Sequence, residues 1–141
     1  MTRYFWLPLR GLSGMVISNA RVGIHHAVCH CLGARGGLSH GVANSIMLPH
    51  ALAYNLPVAA AELARMAEAM DAGASGDNPA GAARAAIDAV IRLQHRCGVP
   101  TRLRDTGLDR SLLPAIADDT LRDRGLYFNP RRTDAAGPIL Q

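Results

Sequence analysis

His26 and His30 stand four residues apart in the stretch Gly23-Ile24-His25-His26-Ala27-Val28-Cys29-His30-Cys31-Leu32-Gly33, and Ser39-His40-Gly41 follows shortly after. A spacing of four places two side chains on one face of a helix. His40 opens the next predicted helix, and a glycine-bearing loop lets that helix fold back beside the first. Three imidazoles can then converge, two from one helix and one from its neighbour. Neutral imidazole suits divalent zinc, iron and nickel. A hydrolytic metal centre also needs a placed base, and no Asp or Glu occurs between Met1 and Ala61. A histidine pair at this spacing also arises as plain surface or core filling, so spacing alone leaves both readings open.

The neighbouring residues sort by the same reasoning. Cys29 and Cys31 are potential soft ligands, but thiols are usually buried, and Cys29 reads as packing or as pocket lining. His25 points about 100 degrees away from His26 around a helix and reads as a supporting or structural side chain. His50 follows a proline and reads as packing or capping. His95 lies near a helix end where the dipole favours a basic side chain.

The elements that would carry these residues are helical. Apolar spacing predicts one helix from Leu12 to Leu32, closed by Gly33, and a loop over Ala34-Arg35-Gly36-Gly37-Leu38. Ser39 caps a helix from His40 to about Tyr54, which Pro49 should kink or break. Pro57 opens an Ala-rich helix to Met70, and Asp71 to Gly76 form a loop. Asn78-Pro79 caps and opens a helix through Cys97, with Ile87, Val90, Ile91 and Leu93 as its apolar side; Gly98 and Pro100 end it. A shorter helix from Asp109 to Arg122 carries Leu112, Leu113, Ile116 and Leu121. From Gly125 the chain reads as irregular. No strand alternation or internal repeat is present, so the fold class is all-α, a helical bundle.

Composition narrows the function classes. The chain has 141 residues, 49% hydrophobic and 4% aromatic, which points to one domain with a core of small aliphatic side chains. The formal charge is +4. Its arginines alternate with aspartates, as in Arg104-Asp105, Asp109-Arg110 and Arg122-Asp123-Arg124, the pattern of a solvated face and not of a nucleic-acid stripe. Cys29, Cys31 and Cys97 make no disulfide framework and read as reduced thiols of a cytoplasmic protein. Pro8 and Arg10 interrupt the short apolar start, which argues against a secretory signal. No stretch approaches the roughly 20 apolar residues of a membrane span.

Several spaced motifs together resemble one family. Gly23-x-x-His26-x-x-x-His30-x-Leu32-Gly33, then His40-Gly41-Val42-Ala43-Asn44, then Leu48-Pro49-His50, look like the signature of iron-containing (group III) alcohol dehydrogenases. His25-His26-x-x-Cys29-His30-x-Leu32-Gly33 is similar to the maleylacetate reductase branch. Asn129-Pro130-Arg131 resembles the segment before the last helix of the family. The resemblance runs from about Leu12 to Arg131. It fits the iron-type branch better than glycerol dehydrogenase or dehydroquinate synthase, which share the fold.

The resemblance implies a helical metal-binding domain over residues 12–141, after an atypical segment over 1–11. It implies that His26 and His40 ligate a divalent metal, iron or zinc. It implies that His30 lies near the nicotinamide of NAD or NADP and the substrate, with a role in proton relay. The substrate would be a small alcohol, an aldehyde or a maleylacetate-like acid. The family's α/β nucleotide-binding domain and its Asp and His ligands from an upstream helix have no counterpart here, and a final helix is expected where the chain stops after Asp134-Ala135-Ala136. The expectation is therefore a chain truncated at both ends, inactive alone, which associates with a nucleotide-binding half or with itself. The competing expectation is a non-catalytic helical remnant or interaction module without metal.

Overall fold

A short break, not a continuous helix, precedes the histidines. In a computed structural model, which describes residues 6–72 and 78–133 and side chains only from residue 11 on, α1 runs Trp6–Ala20 and α2 runs Ile24–Gly36. The single helix expected over Leu12 to Leu32 is thus two. Arg21 turns into the left-handed region at φ 67°. Gly23 then meets Asn129 so closely that a Cβ would lie 2.7 Å from the Asn129 Oδ1. That oxygen accepts from the Ile24 N–H at 3.1 Å and satisfies one of the orphan donors of the new helix. A tertiary contact 105 residues away in sequence overrides the local apolar pattern.

The end of α2 also differs. Gly33 stays helical, and Gly37, at φ 67°, is the left-handed cap whose N–H reaches the Gly33 and Leu32 carbonyls. Ser39 caps α3 as its sequence predicts, its hydroxyl accepting from the Val42 N–H. Helix α3 runs His40–Ala69, straight through Pro49; its backbone departs from helical geometry only at Ala59 (φ −127°, ψ 27°), two residues after Pro57. Pro49 has no N–H to give the Ser45 carbonyl one turn back. The Gln94 side chain from α4 (Pro79–Cys97) donates to that carbonyl instead. Asn78 caps α4, and Gly98 ends it in the left-handed region, both as expected.

Helix α5 runs Leu113–Arg122, with 3-10 turns at Leu103–Thr106, Arg110–Leu112 and Arg124–Phe128 around it. No strand occurs among the described residues, and the fold is all-α as the sequence predicts. Of the expected atypical segment over 1–11, residues 1–5 lie outside the described residues, as do residues 73–76 of the expected loop over 71–76 and the chain after Thr133.

Helices α2, α3 and α5 enclose the core: Ile24, Val28, Cys29 and Leu32 face Ala43, Ile46, Met47 and Ile116. Full burial of each large aliphatic side chain contributes about 1.5–3 kcal/mol. Helix α4 buries Ala83, Ala86, Ile87, Val90 and Gln94. Leu93, expected on that side, is 51% exposed because it falls off the stripe of α4 that faces α3. In α5 the buried positions are Ile116 and Thr120, and Leu121 lies at the surface. Residues 11–20 of α1 are all exposed, including Leu12, Met15, Val16 and Ile17.

Candidate metal centre

Two anchored helix ends bring the histidines together. Asn129 holds the first turn of α2, which carries His26 and His30. Ser39 holds the first turn of α3, which begins at His40. Ring centroids of His26 and His40 lie 5.8 Å apart, those of His26 and His30 6.1 Å, and those of His30 and His40 6.1 Å. The three imidazoles form a nearly equilateral group, with His30 and His40 stacked at an interplanar angle of 16°. Helical spacing and the return of α3 thus produce the convergence expected from sequence.

The group is open. His30 and His40 are exposed and His26 is half-buried. Two shallow cavities lie elsewhere: one of about 300 Å³ beside Gly37 and Val42, the other of about 330 Å³ beside Arg21, His25 and Asn129. Among the described residues, no set of three or more His, Cys, Asp or Glu side chains is arranged to hold a metal ion by itself. His26 and His40 suit a divalent metal in donor type and proximity, but as part of a shell.

Burial, then the neighbouring His25, His30 and His40, keep the His26 imidazole below the ordinary histidine range, which favours the neutral form a metal needs. His25, expected to point away from His26, instead lies beside it, the two rings edge to face with centroids 5.0 Å apart. Its Nε2 lies 3.0 Å from the Asn44 carbonyl. A carbonyl only accepts, so Nε2 carries the hydrogen. Burial is the main cause of the lowered His25 pKa, and the Asn44 bond opposes it. Cys29 is buried in the core, and desolvation pushes its thiol up to about 12, which makes it packing and not a ready ligand. Cys31 is also buried. His50 is exposed on α3.

Sequence reasoning missed Asp123. Its Oδ2 lies 3.2 Å from the His30 Nδ1, and its Oδ1 accepts from the Gly125 N–H at 2.7 Å. The chain lacks acidic residues before Glu62, but folding brings a carboxylate from 93 residues away. Asp123 sits between Arg122 and Arg124, where alternating charge reads as a solvated face. The local signal was an Asp two residues before a Gly, a turn-capping pattern.

A family model described as "Fe-containing alcohol dehydrogenase family, C-terminal" matches residues 10–137. The chain belongs to the iron-containing alcohol dehydrogenase family. The 1,3-propanediol dehydrogenase of Citrobacter freundii is 39% identical over 121 residues, 86% of this chain and 31% of that protein. Maleylacetate reductase 1 of Cupriavidus pinatubonensis (strain JMP 134 / LMG 1197) is 37% identical over 131 residues, 92% of this chain and 33% of that protein. The crystal structure of a 1,3-propanediol oxidoreductase superposes with a TM-score of 0.86 at 37% identity, over 91% of this chain and 34% of that one. The chain therefore spans about a third of the length of these relatives. The propanediol dehydrogenase and the maleylacetate reductase match at similar identity, 39% and 37%. No described helix is long and apolar enough to cross a membrane.

Proposed function

We propose that this chain supplies the helical, metal-binding part of an NAD(P)-dependent oxidoreductase of the iron-containing alcohol dehydrogenase family. Its substrate class is a small alcohol, an aldehyde or a maleylacetate-like acid. The observation that carries this reading is the group formed by His26, His30 and His40, whose rings meet from two helices. His26 and His40 hold a divalent metal, iron or zinc, and His30 handles a proton beside the substrate and the nicotinamide. When bound, the metal supplies Lewis acidity at the substrate oxygen, and NAD or NADP carries the hydride. Two imidazoles leave a tetrahedral shell half complete, so binding by this chain alone is weak and exchangeable.

The remaining ligands and the nucleotide site come from a part of the enzyme that these 141 residues do not describe. The lengths of the relatives support this, as does the all-α architecture, which offers no strand, Gly-rich turn and helix for a dinucleotide among the described residues. Alone, the chain gives no turnover with NAD(P), metal and alcohols or aldehydes. Clear substrate-dependent turnover by the purified chain would overturn that requirement. We also propose the cytoplasm as its compartment, on its three unpaired thiols.

The exposed apolar residues of α1 support a second, compatible reading, in which the chain acts by association with another part or with itself. Strong dye binding and a high apparent mass on size exclusion are its expected signs. A monodisperse monomer that binds no dye would count against it.

A further inference from the structure

His30 carries the proton-handling role in the proposed reaction, and its protonation pattern depends on which ring nitrogen holds the hydrogen. Free histidine in water favours the Nε2–H form. Here Nδ1 faces the Asp123 carboxylate at 3.2 Å, and an ionised carboxylate only accepts. Nδ1 must then carry the hydrogen whenever the ring is neutral and the bond is made. Asp123 is itself held. Its other oxygen accepts from the Gly125 N–H at 2.7 Å, and its own N–H donates to the Thr120 carbonyl at 3.1 Å where α5 ends. The Asp123 side chain is 21% exposed and the His30 side chain 50%, so the bond lies at the rim of the molecule and its strength as an ion pair is small. What it contributes is orientation.

We propose that Asp123 is a positioning residue that fixes His30 as the Nδ1–H tautomer and so leaves Nε2 as its basic nitrogen. This deepens the proton-handling reading of His30 and takes its functional meaning from it. Nε2 is then the ring atom that can take a proton from a substrate hydroxyl in the oxidative direction and return one to the substrate oxygen in the reductive direction, while Nδ1–H stays on Asp123. The logic is that of other histidine–carboxylate pairs, in which replacing the acid by its amide presents a donor to Nδ1 and forces the wrong tautomer. His26 and His40, the other rings against His30, offer no carboxylate that could substitute.

The test uses the whole 141-residue chain, metal-free, labelled with 15N and 13C at histidine, well above the ordinary histidine pKa of 6.5. The His30 signals are assigned by their loss in His30→Gln. In the wild type they should carry the Nδ1–H signature. In Asp123→Asn the amide oxygen can keep the Gly125 N–H while its NH2 faces the ring, so the signature should switch to Nε2–H. Asp123→Glu should restore Nδ1–H in part. A matched thermal melt for Asp123→Asn excludes unfolding as the cause. A wild-type ring in the Nε2–H form, or the same signature in wild type and Asp123→Asn, would overturn the proposal. A parallel cobalt(II) titration keeps the two readings apart. Binding that survives in Asp123→Asn beside an unchanged tautomer sinks the positioning role alone. A tautomer switch in a chain that binds no cobalt sinks the metal site alone.

Discussion

The Asn129 Oδ1 accepts from the backbone N–H of Ile24 at 3.1 Å and so caps the helix that carries His26 and His30 from a position near the far end of the chain. Asn129 is 9% exposed and also exchanges hydrogen bonds with the Asn55 side chain at 2.9 and 3.1 Å. Gly23 leaves room for this oxygen, which a Cβ would crowd at 2.7 Å. Gly23→Ala and Asn129→Ala should each cost about 1–3 kcal/mol, the scale of a buried polar group left without its partner. Because both remove the same bond, the double variant should lose less than the two costs summed. Urea midpoints measure this, and a neutral Gly23→Ala would refute the crowding argument.

A second cross-chain bond predicts a rescue. Gln94 donates to the Ser45 carbonyl that Pro49 leaves without a helical donor. Gln94→Leu should destabilise the fold by about 1–3 kcal/mol, since it strands a carbonyl at the interface between α3 and α4. Adding Pro49→Ala returns a backbone N–H to that carbonyl and should recover part of the loss. No recovery in the double variant would mean that the carbonyl finds another donor, such as water.

The half-buried imidazole of His25 sets a pH dependence. Its pKa in the fold lies below the ordinary 6.5, chiefly through burial, so the unfolded chain binds more protons just below that pH. The stabilisation is fully present above 6.5 and drains away as pH falls below 6.5 toward the lowered value. His26 adds in the same direction. Metal-free protein should therefore show a falling urea midpoint on acidification, and His25→Gln should flatten that fall. An equally steep fall in His25→Gln would remove His25 from the explanation.

Thiol chemistry tests the core assignment. Burial pushes Cys29 to about 12 and raises Cys31, whereas Cys97 is exposed. At neutral pH a maleimide should label one thiol rapidly in the native chain and all three after unfolding. Cys97→Ser should abolish the rapid phase. Rapid labelling of Cys29 would contradict its place in the core.

Much of this was legible in the sequence, and the reasons are local. The Ser39 and Asn78 caps, the Gly98 stop and the His26–His30 spacing are written in neighbouring residues, and all occur where predicted. The break at Arg21 to Gly23 was not legible, because its cause is Asn129, far along the chain. Pro49 reads as a helix breaker until Gln94 of another helix is in place. Asp123 was hidden among alternating charges, and only the fold brings it to His30. Leu93 and Leu121 have the right residue type for burial, yet the phase of each helix against its neighbour leaves them at the surface.

If His26 and His40 share one divalent metal, as we propose, both imidazoles should respond when the ion is added. Cobalt(II) titration of the whole chain, followed by its visible absorption and by histidine ring signals, measures this. Wild type should bind weakly, with the His26 and His40 signals perturbed together. His26→Ala and His40→Ala should each weaken binding by roughly 10–100-fold or more, a loss that even the outer partners of metal ligands can produce, while His50→Ala should match wild type. Wild-type affinity in either alanine variant, or no cobalt binding by the wild type, would rule out a metal shared by His26 and His40.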